Sequence, residues 1–265
     1  MVRLLTYTLL FLSLHLSGQG LLIEQNGQLI RFDTPTGTTD SLVMFEFDPV
    51  TQSRLALLSD TSDMQLRWSN DTAYVEKWYD VSKRDSLVQA TEALQPRFDF
   101  SDGSVRFDSA QFFVGSAFFR NLMDPDLTNT LGLRAKTDDV NSAQYVLCRR
   151  AALQESRVTF SFGAESFIAG SPSRGSRIDV VSNQYYTFFA ENTPTTHQLY
   201  RDLLLSANKT PPSSFMLQTA LYIGVRDNRT TVQQQPLQGN IQSIILFDFT
   251  LNNGQRILTN KYLQK

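Results

Sequence analysis

Short apolar runs, separated by turn-forming residues, recur along most of the chain. Gly, Pro, Asn, Asp and Ser bound them, and they are rich in Phe, Val, Thr and Tyr, which suit a pleated, half-buried surface. The strands predicted in this way cover residues 42–47, 105–114, 144–148, 158–162, 185–189, 217–225 and 241–249. Many short strands with frequent turns predict an all-β sandwich or jelly roll.

The apolar spacing changes near the end of the chain. Asn252 and Asn253 are residues that favour a helix N-cap. The apolar positions that then share one face of a helix are Ile257, Leu258, Tyr262 and Leu263. This spacing predicts one short C-terminal helix after the strands.

The first twenty residues have a different pattern. Arg3 precedes an apolar stretch over residues 4–16, and small residues follow it up to Gly20. This order is typical of a signal peptide over residues 1–20, cleaved near Gly20, and predicts a secreted or cell-surface protein. A stable membrane span is not expected, since a crossing helix needs about 20 apolar residues. An uncleaved N-terminal anchor is the alternative.

The remaining length suits one large β domain. Residues 21–73 have weaker periodicity than the rest and are interpreted as N-terminal strands. These strands belong either to the sandwich or to a small appended unit. Residues 74–265 form the main domain in this interpretation.

Composition excludes some partners. The formal charge is −2, the pI is about 5.7, and Lys and Arg do not cluster, so a nucleic acid is not expected as a partner. Cys148 is the single cysteine, which excludes an intramolecular disulfide. Its strand-like context predicts a small buried hydrophobe rather than a reactive thiol.

Several motifs in the second part of the chain carry a family resemblance. They are Trp78-Tyr79-Asp80-Val81-Ser82, Gln89, Gln95-Pro96, Val105-Arg106-Phe107-Asp108, Gly239-Asn240-Ile241 and Arg256. Together they resemble the concanavalin A-like lectin/glucanase superfamily, specifically the laminin-G-like domains of secreted bacterial and phage proteins. The resemblance implies a jelly-roll β-sandwich over residues 74–265. Family glycines are replaced at residues 83–85 and 109, which predicts different turns at those places.

Candidate catalytic groups are few. Loss of His15 with the signal peptide leaves His197, which disfavours a zinc site or an imidazole-assisted nucleophile; His197 is interpreted as a loop or edge residue. The resemblance also implies a glycoside hydrolase alternative with Glu46 and Asp48 on one strand face. The third carboxylate of that motif is missing, and Pro49 interrupts the strand. No catalytic residue is therefore assigned, and the protein is interpreted as a non-enzyme.

No cofactor is required by the sequence. Pairs of aspartates in turn-like segments are candidate ligands for a single calcium ion. They are Asp124 with Asp126 and Asp138 with Asp139. The alternative is that these are solvated turn residues.

Aromatic side chains are the candidate ligand-binding groups, because rings stack on the apolar faces of sugars. Trp68, Tyr185 and Tyr186 are chosen, and strand alternation allows one of the two tyrosines to pack inside. Trp78 is interpreted as structural. The sequence thus predicts a secreted, non-catalytic lectin-like domain that binds a glycan or an extracellular or surface protein in adhesion or surface assembly. The alternatives are the glycoside hydrolase and a purely structural extracellular module.

Overall fold

The chain divides into two compact units, residues 1–48 and residues 49–265. The computed structural model describes residues 21–25, 28–32, 43–45, 47–108, 110–122, 127–148, 159–163, 166–169, 176–209, 221–225 and 235–264. The signal-peptide prediction lies outside these residues.

The first unit contains an antiparallel sheet of three strands in chain order. They are β1 (Leu21–Gln25), β2 (Gln28–Phe32) and β3 (Val43–Phe45). Leu21 pairs with Phe32, and Arg31 pairs with Val43. The strand predicted over residues 42–47 is confirmed for its central residues.

The second unit is built mostly of antiparallel strands. Its strands are β4 (Leu55–Leu58), β5 (Met64–Ser69), β6 (Thr72–Tyr79), β7 (Ser86–Val88), β8 (Arg97–Asp99), β9 (Ser104–Asp108), β10 (Phe113–Gly115), β11 (Asn129–Thr137), β12 (Gln144–Cys148), β13 (Thr159–Gly163), β14 (Ser166–Ala169), β15 (Ser176–Asp179), β16 (Tyr186–Asn192), β17 (His197–Arg201), β18 (Leu204–Lys209), β19 (Leu221–Ile223) and β20 (Gln238–Phe247). Its helices are α1 (Pro49–Gln52), α2 (Ala117–Leu122) and α3 (Asn253–Leu263), with 3-10 turns at Thr61–Asp63 and Glu92–Leu94.

The strand pairings arrange the second unit as a sandwich of two layers. In one layer, β20 lies beside β11, and β16, β17 and β18 follow outward; on its other edge β20 pairs with β9 and β4. In the other layer, β7, β10, β19, β12, β13, β14 and β15 pair in that order. Strand β6 joins the layers, because it pairs with both β7 and β8. The prediction of an all-β, sandwich-like fold is confirmed.

The core lies where the inward side chains of the two layers meet. Phe107 of one layer meets Phe113 of the other edge-to-face, with ring centroids 6.1 Å apart, and Phe162 meets Phe188 at 6.0 Å. Trp78 is fully buried among them, and its indole N–H donates to the Leu58 carbonyl over 2.6 Å. Burial of such large rings is the main stabilising term in a chain without a disulfide. The structural interpretation of Trp78 is confirmed.

Cys148 ends strand β12 and is completely buried. The prediction of a small buried hydrophobe at this position is therefore confirmed. His197 begins strand β17 and is also buried, so it lies on a strand and not in an exposed loop.

Helix α3 begins where the sequence predicts. Asn252 accepts a hydrogen bond from the Gln255 N–H, and the Gln255 side chain accepts one from the Asn252 N–H, which is a complete capping box. Leu258 and Leu263 are buried beneath the helix, whereas Ile257 is partly exposed. The helix packs on β11, β16 and β20. Among the described residues, no helix has both the length and the hydropathy that a membrane span requires.

Candidate functional site

Strand alternation places polar side chains on the outer face of the β9, β20 and β11 strands. In β9 the buried Val105 and Phe107 alternate with Ser104, Arg106 and Asp108, which point to the other face. Neighbouring strands contribute Asn240, Gln242, Arg134 and Lys136 to the same face. The result is a group of polar and charged residues on the outer surface of the sheet.

Arg106 connects one end of this group. Its Nε donates to Asp108 over 2.7 Å, and its two Nη atoms form a forked pair with Asp138. Arg106 Nη1 also donates to the Asn240 side-chain oxygen over 2.9 Å. Arg97 of β8 pairs with the other oxygen of Asp108 over 2.9 Å. Fork-shaped arginine pairs of this kind fix the orientation of both partners.

Asp102 connects the other end. Its Oδ2 accepts hydrogen bonds from Lys136 Nζ and from the Tyr185 hydroxyl, each over 2.7 Å, and its Oδ1 accepts from the Ser104 hydroxyl. Asn240 donates to Ser104 over 2.7 Å and so links Asp102 to Arg106. The network is continuous from Asp138 to Tyr185.

The environment alters the acidity of this cluster. Burial alone would raise the pKa of Asp102, but hydrogen bonds from Lys136, Ser104 and Tyr185 outweigh it and hold the pKa below 3.8. Burial raises the pKa of the Tyr185 hydroxyl, and the neighbouring Asp102 carboxylate raises it further. Lys136 Nζ lies 4.6 Å from the centroid of the Tyr185 ring. Asp102 is therefore ionised and Tyr185 neutral at neutral pH.

Strand β20 exchanges its pairing partner beside this cluster. Residues 238–241 pair with β9, and residues 243–246 pair with β4 on the same edge. Gln242 lies between them as a β-bulge, since Arg134 pairs with Ser243 and the next residue of β11 pairs with Ile241. The Gln242 side chain accepts from Arg134 over 2.6 Å and donates to the Asp102 carbonyl over 2.9 Å.

A cavity of about 540 Å³ lies at this exchange of partners. Its apolar lining comes from Leu58, Phe98 and Leu263, with the Tyr262 side chain beside them. Its polar lining includes Asp60, Thr61, Asp102 and Gln242. The size and the mixed lining are typical of small-ligand sites.

Two exposed aromatic rings lie next to the cavity. Trp68 at the end of β5 and Phe100 in the β8–β9 turn stack with ring centroids 5.7 Å apart and an interplanar angle of 17°. Their exposed fractions are 61% and 58%. Phe100 meets Phe98, which lines the cavity, at a centroid distance of 4.8 Å. We refer to Trp68 and Phe100 as the aromatic platform.

The sequence-predicted ligand residues fall in different places. Trp68 is exposed in the platform, and Tyr185 is half-buried in the Asp102 cluster. Tyr186 is buried in the core, so its ring is not accessible to a ligand. Strand alternation had allowed for the burial of one of the two adjacent tyrosines. Glu46 lies outside the described residues, and Asp48 is exposed after the end of β3.

Of the calcium candidates, the structure describes Asp138 and Asp139, which have separate partners. Asp138 is held by Arg106, and Asp139 accepts hydrogen bonds from Asn141 and Ser142 within an exposed turn. Asp124 and Asp126 lie outside the described residues. Within the part of the chain that the structure describes, no group of three or more His, Cys, Asp or Glu side chains could hold a metal ion.

Phe100, Asp102 and Lys136 were missed from the sequence. The turn that carries the first two reads Asp99-Phe100-Ser101-Asp102-Gly103, and an aromatic residue in so polar a turn was a signal for exposure. The approach of Lys136 depends on strand order, which has no local signal.

The fold belongs to the class of antiparallel β-sandwiches, and comparisons with known proteins give structural neighbours of this class. No family model and no curated protein matches the sequence. A Trypanosoma rangeli sialidase in complex with sialic acid is similar with a TM-score of 0.58 and 11% identity, covering 91% of this chain and 44% of that chain.

The binding domain of botulinum neurotoxin DC in complex with SialylT is similar with a TM-score of 0.53 and 9% identity, covering 81% of this chain and 52% of that chain. A botulinum neurotoxin type C structure, from a toxin whose cell entry depends upon interaction with two ganglioside molecules, has a TM-score of 0.53 and 8% identity, with coverages of 81% and 52%. The chain thus spans about half or less of these proteins. At such low identity the likeness establishes the β-sandwich fold.

Proposed function

We propose that residues 49–265 form a non-catalytic, lectin-like domain that binds glycans outside the cell. In this proposal the sandwich is a jelly roll of the concanavalin A-like type, and the aromatic platform is the primary contact with the sugar. The observation that carries the proposal is the platform itself: two large stacked rings, both more than half exposed, beside a cavity and a polar network.

The platform suits a sugar for a physical reason. Exposed aromatic rings are costly to hydrate, and the apolar C–H face of a pyranose covers such a ring while its hydroxyls stay in reach of polar groups. The β8–β9 turn supplies both kinds of group, since Phe100 and Asp102 are two residues apart. The structural neighbours that act on sialic acid or interact with gangliosides add support by analogy of fold.

The ionisation of Asp99 and Asp102, the two carboxylates beside the aromatic platform, supports a binding role for this surface. A glycoside hydrolase needs a general acid whose pKa is raised, paired with an ionised carboxylate. A hydrogen bond from Ser101 holds the pKa of Asp99 below 3.8, and the pKa of Asp102 is lowered too. Both residues are therefore ionised at neutral pH and do not have the raised pKa of such a general acid.

A glycan array tests this proposal. The wild-type chain should bind a defined set of neutral or sialylated glycans, and Trp68→Ala and Phe100→Ala should each reduce that binding by about tenfold or more. Phe118→Ala is the matched control, because Phe118 lies on α2 and is 48% exposed. This control variant should bind like the wild type.

Two results would overturn the proposal. Binding of no glycan by the folded wild-type chain would exclude the lectin function. Release of free sugar from a bound glycan, measured as reducing ends, would exclude the non-catalytic role and favour the hydrolase.

A further inference from the structure

We propose that the cavity beside the Gln242 bulge holds one neutral sugar residue and rejects acidic sugars such as sialic acid. This inference rests on the proposed glycan-binding function and specifies which class of sugar the site takes. A preference for neutral sugars differs from what the structural neighbours would suggest. The sialidase is in complex with sialic acid, and cell entry of the type C neurotoxin depends upon interaction with gangliosides.

The cavity is a consequence of the strand topology. β9 and β4 both pair with β20 on the same edge, so their facing ends leave a gap at residue 242. The Ser59 N–H donates to the Gln242 carbonyl over 2.9 Å, and the Gln242 side chain donates to the Asp102 carbonyl. These bonds fix both sides of the gap, so the cavity is formed before any ligand arrives.

The cavity has the chemistry of a site for a polyol. Leu58 and Phe98 provide an apolar wall for C–H groups. Asp60 and Thr61 are exposed at the rim. There the Asp60 carboxylate can accept hydrogen bonds from sugar hydroxyls, and the Thr61 hydroxyl can accept or donate them. The volume of about 540 Å³ accommodates one ring with its substituents.

The charge of the lining determines the class of sugar. Among the described residues that line the cavity, two are carboxylates, Asp60 and Asp102, and none is Lys, Arg or His. Hydrogen bonds from Ser62 lower the pKa of Asp60, so both groups are ionised at neutral pH. Lys136, which compensates Asp102, is not part of the lining. A sugar carboxylate would therefore meet the like charge of Asp60 at the rim, which no cation among the described lining residues compensates, whereas neutral hydroxyls meet acceptors.

The cavity and the platform form one continuous surface. Phe98 lines the cavity and contacts Phe100, which stacks on Trp68. A glycan with its terminal sugar in the cavity would place the following sugar on the platform. Neutral-terminated oligosaccharides should therefore bind more tightly than single sugars.

The test compares affinities for matched glycans by isothermal titration calorimetry. Lactose-type oligosaccharides with a neutral terminus and the same oligosaccharides capped with sialic acid are titrated into the wild type and into Asp60→Lys. The wild type should bind the neutral form about tenfold more tightly, and Asp60→Lys should shift this ratio about tenfold toward the sialylated form. Asp179→Lys carries the same charge change on the exposed part of β15 and should leave the ratio unchanged.

The outcomes separate this inference from the proposed function. Tighter binding of the sialylated form by the wild type, lost in Trp68→Ala, would overturn the inference and leave glycan binding intact. An unchanged ratio in Asp60→Lys would also overturn it. Binding of neither form, together with no binding to any other glycan on the array, would overturn the proposed function itself. A further variant, Thr61→Trp, fills the rim and should weaken the neutral form alone.

Discussion

The outer face of β11 and β20 has two halves that differ in chemistry, although the same two strands form both. On one side of the Gln242 bulge, helix α3 covers the sheet; we call this the covered half. On the other side the network from Asp138 to Tyr185 faces solvent; we call this the open half. Gly132 and Ile245 lie in the first half, and Lys136 and Asn240 lie in the second.

A sheet face that a helix covers needs small and apolar side chains and paired charges. In the covered half, Gly132 leaves space for Ile245, Phe189 and Leu263, and the ion pair of Glu191 with Arg256 is almost completely buried. In the open half, charged side chains satisfy one another while remaining in contact with water. The open half can therefore exchange its hydrogen bonds for those of a ligand, whereas the covered half contributes to stability.

Arg256→Ala should have the largest effect. It removes the partner of Glu191 and leaves a buried carboxylate, so the free energy of unfolding should fall by about 3–5 kcal/mol at pH 7. Urea denaturation followed by tryptophan fluorescence measures this loss. A loss below about 1 kcal/mol would mean that α3 is not anchored by this ion pair.

Gly132→Ala should have the next largest effect. A Cβ at this position would lie 2.7 Å from Ile245 Cγ2, so we expect a loss of about 1–3 kcal/mol from overpacking. Ile245→Ala removes the clashing atom, and the double variant should lose less than the sum of the two single variants. Additive losses in urea denaturation would contradict the packing that we describe under α3.

Asp102→Asn tests the open half and should cost about 1–2 kcal/mol at pH 7, because Lys136 and Tyr185 lose a charged acceptor. The pKa of Asp102 lies below 3.8 in the folded chain. Its contribution is therefore complete above about pH 3.8 and is lost as the pH falls through the lower folded-state pKa. The difference in free energy of unfolding between Asp102→Asn and the wild type should decrease from pH 7 to pH 3. A difference that does not change with pH would contradict this prediction.

Arg97→Ala should have the smallest effect. Arg97 and Asp108 form an ion pair whose side chains are 47% and 34% exposed, against 9% and 5% for Arg256 and Glu191. Solvent screening limits the expected loss to about 0.5 kcal/mol, and added salt should reduce it further. Urea denaturation of Arg97→Ala and Arg256→Ala side by side measures both losses in the free energy of unfolding. Equal losses would contradict the difference in stability that we describe between the open and the covered half.

Local sequence patterns predicted part of the fold. The strand predicted over residues 105–114 is two strands, β9 and β10, and β7, β8, β14, β15, β17 and β18 lie outside the predicted strands. The all-β sandwich-like fold, the burial of Trp78 and Cys148 and the capping of α3 at Asn252 followed from alternation, turn residues and cap chemistry. Each of these signals lies within about a dozen residues of the element that it predicts. Trp68, one of the candidate ligand residues, is exposed, so its ring is accessible to a ligand.

The site required information that no local pattern carries. Asp102 meets Lys136 and Tyr185 because β9 and β11 both flank β20, and the cavity exists because β20 exchanges partners. Tyr185 and Tyr186 are indistinguishable by composition, and only the register of β16 decides which ring is buried. The roles of Glu46 and the calcium candidates stay predictions.

The exchange of partners at Gln242 also governs how the chain can fold. β20 pairs Ser243 with Leu58 and Gly239 with Phe107, so it joins segments separated by well over a hundred residues. Closing such long loops is slow, because their entropy is lost before the contacts form. Until residues 238–247 are in place, the edges of β4, β9 and β11 stay unpaired and open to aggregation. We therefore expect the pairing of β20 to be a slow step in the folding of this domain, and changes in β20 to lower the refolding yield.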